Sequence, residues 1–173
     1  MSGIRTDVDE LLDAFFESKL REAEGLSALA GELVTEVRDL TMRGGTRLRP
    51  IVVAAGYRAV NGPGSVRATF EVGAALELLQ TYLLIHDDWM DEDDERRGGP
   101  AVHFAFEKRH GNRHLGASLG VLAGDLASTF SWELFWFGKF PNGRRDDALA
   151  AFVRIHKEVF AGQQLDLMAA DDV

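Results

Sequence analysis

The sequence predicts an all-α fold. Apolar residues recur at helical spacing, as in Val8, Leu11, Leu12, Phe15, Phe16 and Leu20 and again in Val72, Ala75, Leu76, Leu79 and Leu83, the period of one helix face and not the alternation of a strand. Turn signals punctuate those runs near Gly25, at Gly44-Gly45, Asn61-Gly62-Pro63-Gly64, Gly98-Gly99-Pro100, Gly111-Asn112 and Pro141-Asn142-Gly143, where glycine, proline and asparagine favour turn conformations. About seven helices joined by short connections result. No low-complexity linker, repeat or compositional shift divides the chain, so residues 1–173 are expected to form a single helical domain.

Taken in order, the Val8 to Leu20 stripe makes the first helix, and a second run ends at Gly44-Gly45. A third opens with the apolar stretch Ile51-Val52-Val53-Ala54-Ala55, and a fourth carries Val72 to Leu83 into an acidic block. Leu115 to Phe137 has the length of a membrane span, but Asp125, Glu133 and several small polar residues identify it as a buried helix. No transmembrane segment is expected. The last helix starts at about Arg144 and runs through Phe152, Ile155, Val159 and Leu165 without an evident cap, which suggests that the sequence stops inside a larger fold.

Composition narrows the function. With 46% hydrophobic residues in 173, the chain can bury a substantial core. A net charge of -9 argues against a general nucleic-acid binder, which neutralises phosphates with broad basic surfaces. Cysteine is absent, which excludes disulfides, thiolate metal sites and a cysteine nucleophile. The N-terminus lacks the basic-then-apolar order of a secretory signal, and a cytoplasmic location is expected.

The most informative segment is Ile85-His86-Asp87-Asp88-Trp89-Met90-Asp91-Glu92-Asp93-Asp94-Glu95-Arg96-Arg97-Gly98-Gly99. Carboxylates at this density repel one another unless cations gather them, and oxygen ligands select hard ions such as Mg2+ or Ca2+. Asp87 and Asp91 are one helical turn apart and share a face, with Asp94 or Glu95 expected to continue the stripe. Asp88 points about 100° away and suits orientation of a neighbour or of a metal-bound water. Arg96 and Arg97 follow at a short interval and are placed to grip an anion bridged to the same metals. The same acids at a solvated helix end would be inert, but Leu83-Leu84-Ile85 sets them beside a core.

A second anion candidate is Gly44-Gly45-Thr46-Arg47-Leu48-Arg49-Pro50. Its glycines permit close backbone approach, the following helix offers unpaired N–H groups, and Arg47 and Arg49 add charge.

Together these segments resemble the polyprenyl synthetase family, the trans-isoprenyl diphosphate synthases, in which a GGKRLRP-like segment precedes an IHDDxxDxxxxRRG segment. Gly44 to Pro50 and Ile85 to Gly98 match in order and spacing, and Gly162-Gln163-Gln164-Leu165-Asp166-Leu167 is similar to the family's later GQxxDL segment. The resemblance implies an isoprenoid-synthase-type helical bundle around a central cavity. It implies a transferase that condenses isopentenyl diphosphate with an allylic diphosphate, giving a short-chain product of about C15–C20. Mg2+ is the implied cofactor, held by the catalytic Asp87 and Asp91 with Asp88 in support. By the same resemblance Arg96 contacts the allylic diphosphate, and Arg49, Arg97 and Gln80 serve isopentenyl diphosphate. Tyr82 and Leu83, about one turn before Asp87, would floor the growing prenyl chain, and Gln163 and Asp166 would line the cavity.

Two positions depart from the family pattern. Thr46 stands where lysine is usual and Gln80 where histidine is common. Each removes possible positive charge from the isopentenyl diphosphate site, though glutamine still donates hydrogen bonds. A terpene-cyclase-like enzyme that ionises a prenyl diphosphate, or a noncatalytic subunit of a heteromeric synthase, are the rival readings. The family's second aspartate-rich motif has no match in the sequence, so little or no turnover is expected of these 173 residues alone.

The remaining polar candidates have structural readings. His86 is expected to orient an aspartate or satisfy a backbone group, and His103, His110, His114 and His156 show no ligand spacing. Trp132, Phe135, Trp136 and Phe137 form an aromatic block suited to core packing or a dimer contact, and the resemblance implies a homodimer through this region.

Overall fold

The computed structural model describes residues 2–60, 65–140 and 143–171. The turn signals at Asn61 to Gly64 and at Pro141-Asn142 lie outside them. The described residues form seven α-helices: α1 (Ser2–Leu26), α2 (Ala28–Met42), α3 (Leu48–Ala59), α4 (Phe70–Met90), α5 (Val102–His110), α6 (Arg113–Phe137) and α7 (Arg145–Asp171). A 3-10 turn, Val66–Thr69, leads into α4, and a hairpin of β1 (Glu95–Arg96) and β2 (Gly99–Pro100) lies between α4 and α5. The all-α class holds. The chain divides into two compact units, Met1–Lys139 and Phe140–Val173.

Helix ends in the first unit fall where the side chains supply partners for unpaired backbone groups. Ser27 caps α2 by accepting from Ala30 N at 3.1 Å, and Asn112 caps α6 by accepting from Leu115 N at 3.0 Å. Helix α5 closes on Gly111 in the left-handed region (φ 64), with Lys108, Arg109 and His110 in its last turn against the negative end of the helix dipole.

Helix α4 is the axis of this unit and packs against α6, α3, α1, α2 and α5. Its buried residues include Ala74, Ala75, Leu78, Leu79 and Ile85, so burial extends around the helix beyond the single stripe read from sequence. The core continues through Val8, Leu12 and Phe16 of α1, Val37 and Leu40 of α2, and Ala123, Ala127 and Phe130 of α6. Phe130 meets Phe15 edge-on with ring centroids 5.4 Å apart. Small residues bring α6 close to its neighbours: a Cβ on Gly116 would lie 2.7 Å from the Glu107 backbone nitrogen of α5, and one on Gly120 would lie 2.8 Å from His103 Cβ.

Among the described residues the stretch long and apolar enough to cross a membrane is Val66–Met90, not Leu115 to Phe137, and 56% of its apolar window is buried inside the protein. Packed against α6, α3 and α1, α4 reads as a core helix. Of the aromatic block, Phe135 is buried whereas Trp136 and Phe137 are 56% and 72% exposed.

The second unit is dominated by α7. Its Phe152 and His156 rings meet edge-on at 4.6 Å, and His156 Nδ1 donates to the Phe152 carbonyl at 2.8 Å. Gln163 and Asp166 sit on this helix at positions three apart, which neighbour on one helical face.

Candidate active site

Helix α4 ends at Met90, with Asp91 as its C-cap still in helical conformation (φ -87) and its N–H donating to the Asp87 carbonyl at 2.8 Å. Asp87 and Asp91 therefore share a face as the spacing predicts. The expected continuation to Asp94 or Glu95 is corrected by the structure. Asp93 N–H returns to the Asp88 carbonyl at 2.8 Å, Glu92 enters the left-handed region (φ 56), and Glu95 starts a strand. A further turn would add acids at the negative end of the helix, where no basic residue stands in the last turn, and is disfavoured to that extent.

The hairpin folds the arginines back onto that end. Arg97 (φ 53) and Gly98 (φ 74) supply the two left-handed residues of a type I′ loop, and Arg96 pairs with Gly99. Arg96 Nε donates to Asp88 Oδ1 at 2.5 Å, its Nη2 meets the same oxygen, and that nitrogen lies 3.5 Å from Asp87 Oδ2 and 3.4 Å from Asp93 Oδ2. Asp88 is fully buried, and its Oδ2 makes no hydrogen bond within the described residues. Burial pushes its carboxyl above the ordinary value against the opposing pull of Arg96, while the bond to Asp88 raises Arg96. Asp88 thus fixes the position of the Arg96 guanidinium at the end of α4.

The Gly-Gly segment approaches from the other side. Gly44 and Gly45 both have positive φ (70 and 113), and a Cβ on Gly45 would lie 3.8 Å from Arg97 Nη1. Arg97 Nη1 donates to the Leu40 carbonyl at 3.2 Å. Burial lowers the Arg97 pKa from its ordinary value; Glu77 opposes this, whereas the charges of Arg47, Arg49 and Arg96 add to it. Arg49 Nη2 donates to Gln80 Oε1, joining two of the predicted residues, and Thr46 is exposed in the same loop.

Arg47 is a correction. It is 3% exposed, and it donates from Nε to Asp9 Oδ1 at 2.7 Å and from Nη1 to Glu77 Oε2 at 3.0 Å. Its charge is committed to Asp9 and the buried Glu77, so of the two arginines in this segment Arg49 is the exposed one left for the anion candidate. The sequence held a signal for this: Glu77 is an acid inside the apolar run of α4, and a buried acid requires a buried cation.

On the same helix Tyr82 is half-buried and meets His86 edge-on at 4.8 Å; burial and the Asp125 charge raise its hydroxyl pKa. His86 Nε2 lies 3.2 Å from the Val121 carbonyl, a backbone partner as expected. A Cβ on Gly124 would collide with the His86 imidazole, so glycine there is a requirement of the His86 position. Leu83 is half-buried nearby in sequence, and Gln163 and Asp166 belong to the second unit.

Among the described residues no three His, Asp or Glu side chains are grouped to hold a metal ion by themselves. Mg2+ does not require such a cage, since it commonly takes one or two carboxylates and completes its shell with phosphate oxygens and water. Two carboxylates one turn apart at the negative end of α4, with one arginine already shared among three acids, fit that donor set.

The polyprenyl synthetase family matches residues 31–173, and the chain belongs to that family. It is 32% identical over 136 residues to a short chain isoprenyl diphosphate synthase of Methanocaldococcus jannaschii, covering 79% of this chain and 38% of that protein. It is 29% identical over 177 residues to a farnesyl diphosphate synthase of Haemophilus influenzae, covering 98% of this chain and 53% of that one. The crystal structure of a geranylgeranyl pyrophosphate synthase from Corynebacterium glutamicum, complexed with isoprenyl diphosphate and magnesium, superposes with a TM-score of 0.85 at 28% identity, over 94% of this chain and 48% of that one. The chain spans about half the length of such relatives or less.

Proposed function

We propose that the protein to which this chain belongs is a Mg2+-dependent prenyltransferase joining isopentenyl diphosphate to an allylic diphosphate, with a product of about C15–C20. The observation that carries this reading is the meeting of two segments distant in sequence. Arg97 lies against Gly45 and near enough to Arg49 and Arg96 to feel both charges, and Arg96 lies 3.5 Å from Asp87 at the end of α4. Such a cluster of cations and acids is suited to an anion that brings its own metal.

Asp87 and Asp91 would hold Mg2+, which when bound supplies positive charge to a diphosphate leaving group. Arg96, oriented by Asp88, is assigned to the allylic diphosphate. Arg49 and Arg97 are assigned to isopentenyl diphosphate, with Gln80 aligning Arg49. Preorganised cations lower the cost of charge that develops on the departing oxygens. The isopentenyl double bond attacks the allylic carbon as its C–O bond to diphosphate breaks, and the proton then lost goes to the departing pyrophosphate, so no protein nucleophile is needed, in keeping with a cysteine-free chain. Tyr82 and Leu83 are assigned to the floor beneath the growing chain. The exposed Trp136 and Phe137 suit a homodimer contact.

The test is a product assay on the whole gene product with Mg2+, labelled isopentenyl diphosphate and a series of allylic primers. Elongated diphosphates are expected, and Asp87→Asn or Asp91→Asn should abolish them. Cyclised hydrocarbons from a single diphosphate, or activity only with a second subunit, would overturn the reading. The 173-residue chain alone is expected to show little turnover, and robust synthesis by it would refute that.

A further inference from the structure

We infer that Arg43 is a positioning residue for diphosphate binding: it ties the Gly44-Gly45 loop to the hairpin that bears Arg96 and Arg97. The inference rests on the function proposed above for its consequence, though not for its geometry. Nothing in the charge pattern singles Arg43 out, because it precedes the glycines and belongs to neither anion segment.

Its backbone makes the turn that opens the loop. Arg43 is the C-cap of α2 with φ -69 and ψ 77, and Gly44 N–H donates to the Met42 carbonyl at 2.8 Å, the geometry of an inverse γ-turn. Its side chain reaches the hairpin. Nη1 donates to the Arg96 carbonyl at 3.2 Å and to the Pro100 carbonyl at 2.9 Å, one on each strand. The guanidinium also lies against Gly99: a Cβ there would stand 2.6 Å from Nη1, 2.7 Å from Cζ and 3.0 Å from Nε. Gly99 is therefore kept free of a side chain by Arg43.

The hairpin needs such a tether. Each strand has two residues, and an isolated two-stranded hairpin is marginal in water. Its loop also puts Arg97, which carries a Cβ, at φ 53, a conformation that costs energy unless surrounding contacts impose it. The end of α2 supplies two of those contacts, the Leu40 carbonyl to Arg97 and the Arg43 guanidinium to both strands. Because Arg43 spends Nη1 on carbonyls, its effect on an anion is exerted through the placement of Arg96 and Arg97.

The test compares the unmutated chain with Arg43→Ala and Arg43→Lys by hydrogen exchange at Arg96 to Ala101 and by titration with inorganic pyrophosphate in the presence of Mg2+. In Arg43→Ala, hairpin amides should exchange about tenfold faster while core amides of α4 and α6 keep their protection, and pyrophosphate affinity should fall about tenfold. Arg43→Lys should recover part of both together. Affinity lost with unchanged hairpin exchange would overturn the inference by showing a direct charge contact, as would no change in either. Gly99→Ala, which displaces the guanidinium without removing its charge, should reproduce the alanine result; unchanged exchange in it would also count against the tether. If the unmutated chain binds no pyrophosphate, the product assay on the whole gene product still decides the proposed function, and hairpin exchange alone decides whether Arg43 is the tether.

Discussion

Asp88, buried at the end of α4, and Arg96, on the first strand of the following hairpin, form an ion pair in which Arg96 Nε donates to Asp88 Oδ1 at 2.5 Å. Two residues eight positions apart thus join the two halves of the charged segment. Removing one partner of a buried pair leaves the other charge uncompensated. Asp88→Asn should cost about 3 kcal/mol in urea unfolding, and Arg96→Gln should weaken Mg2+-pyrophosphate binding. The double variant should be less destabilised than the sum of the singles by about 2 kcal/mol; additive losses would show that the pair is not coupled.

Arg47 and Arg49, two positions apart, should behave oppositely. Arg47 is buried between Asp9 and Glu77, and Arg49 is exposed beside Gln80. Arg47→Met is expected to lower stability by about 3 kcal/mol because Glu77 is left buried without its cation. Arg49→Met should leave the unfolding midpoint within about 0.5 kcal/mol and reduce pyrophosphate affinity. Calorimetric titration beside chemical denaturation separates the two; equal effects on stability would contradict these assignments.

Gly124 faces His86 with no room for a methyl group. Gly124→Ala should cost about 2 kcal/mol by overpacking, read as a drop in thermal midpoint. His86→Ala in the same chain should restore much of that loss, since it empties the space that the new Cβ needs.

Lys19 supplies the pH dependence. Its Nζ lies 2.6 Å from Glu133 Oε1 and 2.8 Å from Glu22 Oε2, and sits over the Phe15 ring at 5.4 Å. Burial pulls the Lys19 pKa down, but the two glutamates outweigh it and hold the ammonium above its ordinary 10.5. The bond from Lys19 holds Glu22 below its ordinary 4.5. A base raised by folding adds stability in full below its unfolded value and loses it as pH rises through the folded one. An acid lowered by folding adds stability above its unfolded value and loses it as pH falls through the folded one. The thermal advantage of the unmutated chain over Lys19→Met should therefore be level between 4.5 and 10.5 and shrink on both sides. A constant difference through acid and alkali would remove Lys19 from the account.

The local rules of the chain determined a good deal. Helical periodicity and turn residues set the class and most of the breaks, and the spacing of Asp87 and Asp91 put them on one face because an intact helix leaves no other geometry. Local rules also miss where a helix must stop. Nothing in Asp91 to Glu95 forbids another turn, and it is the return of the chain to bury Arg96 on Asp88 that ends α4 at Met90. Tertiary packing likewise decided which arginines remain for an anion. Arg47 and Arg49 are alike in sequence, and only the approach of Asp9 from α1 and Glu77 from α4 removes the first of them. Arg43, Gly99 and Gly124 owe their roles to contacts across 57, 56 and 38 residues of chain, because hydrogen bonds and steric exclusion depend on distance in space and not on separation along the backbone.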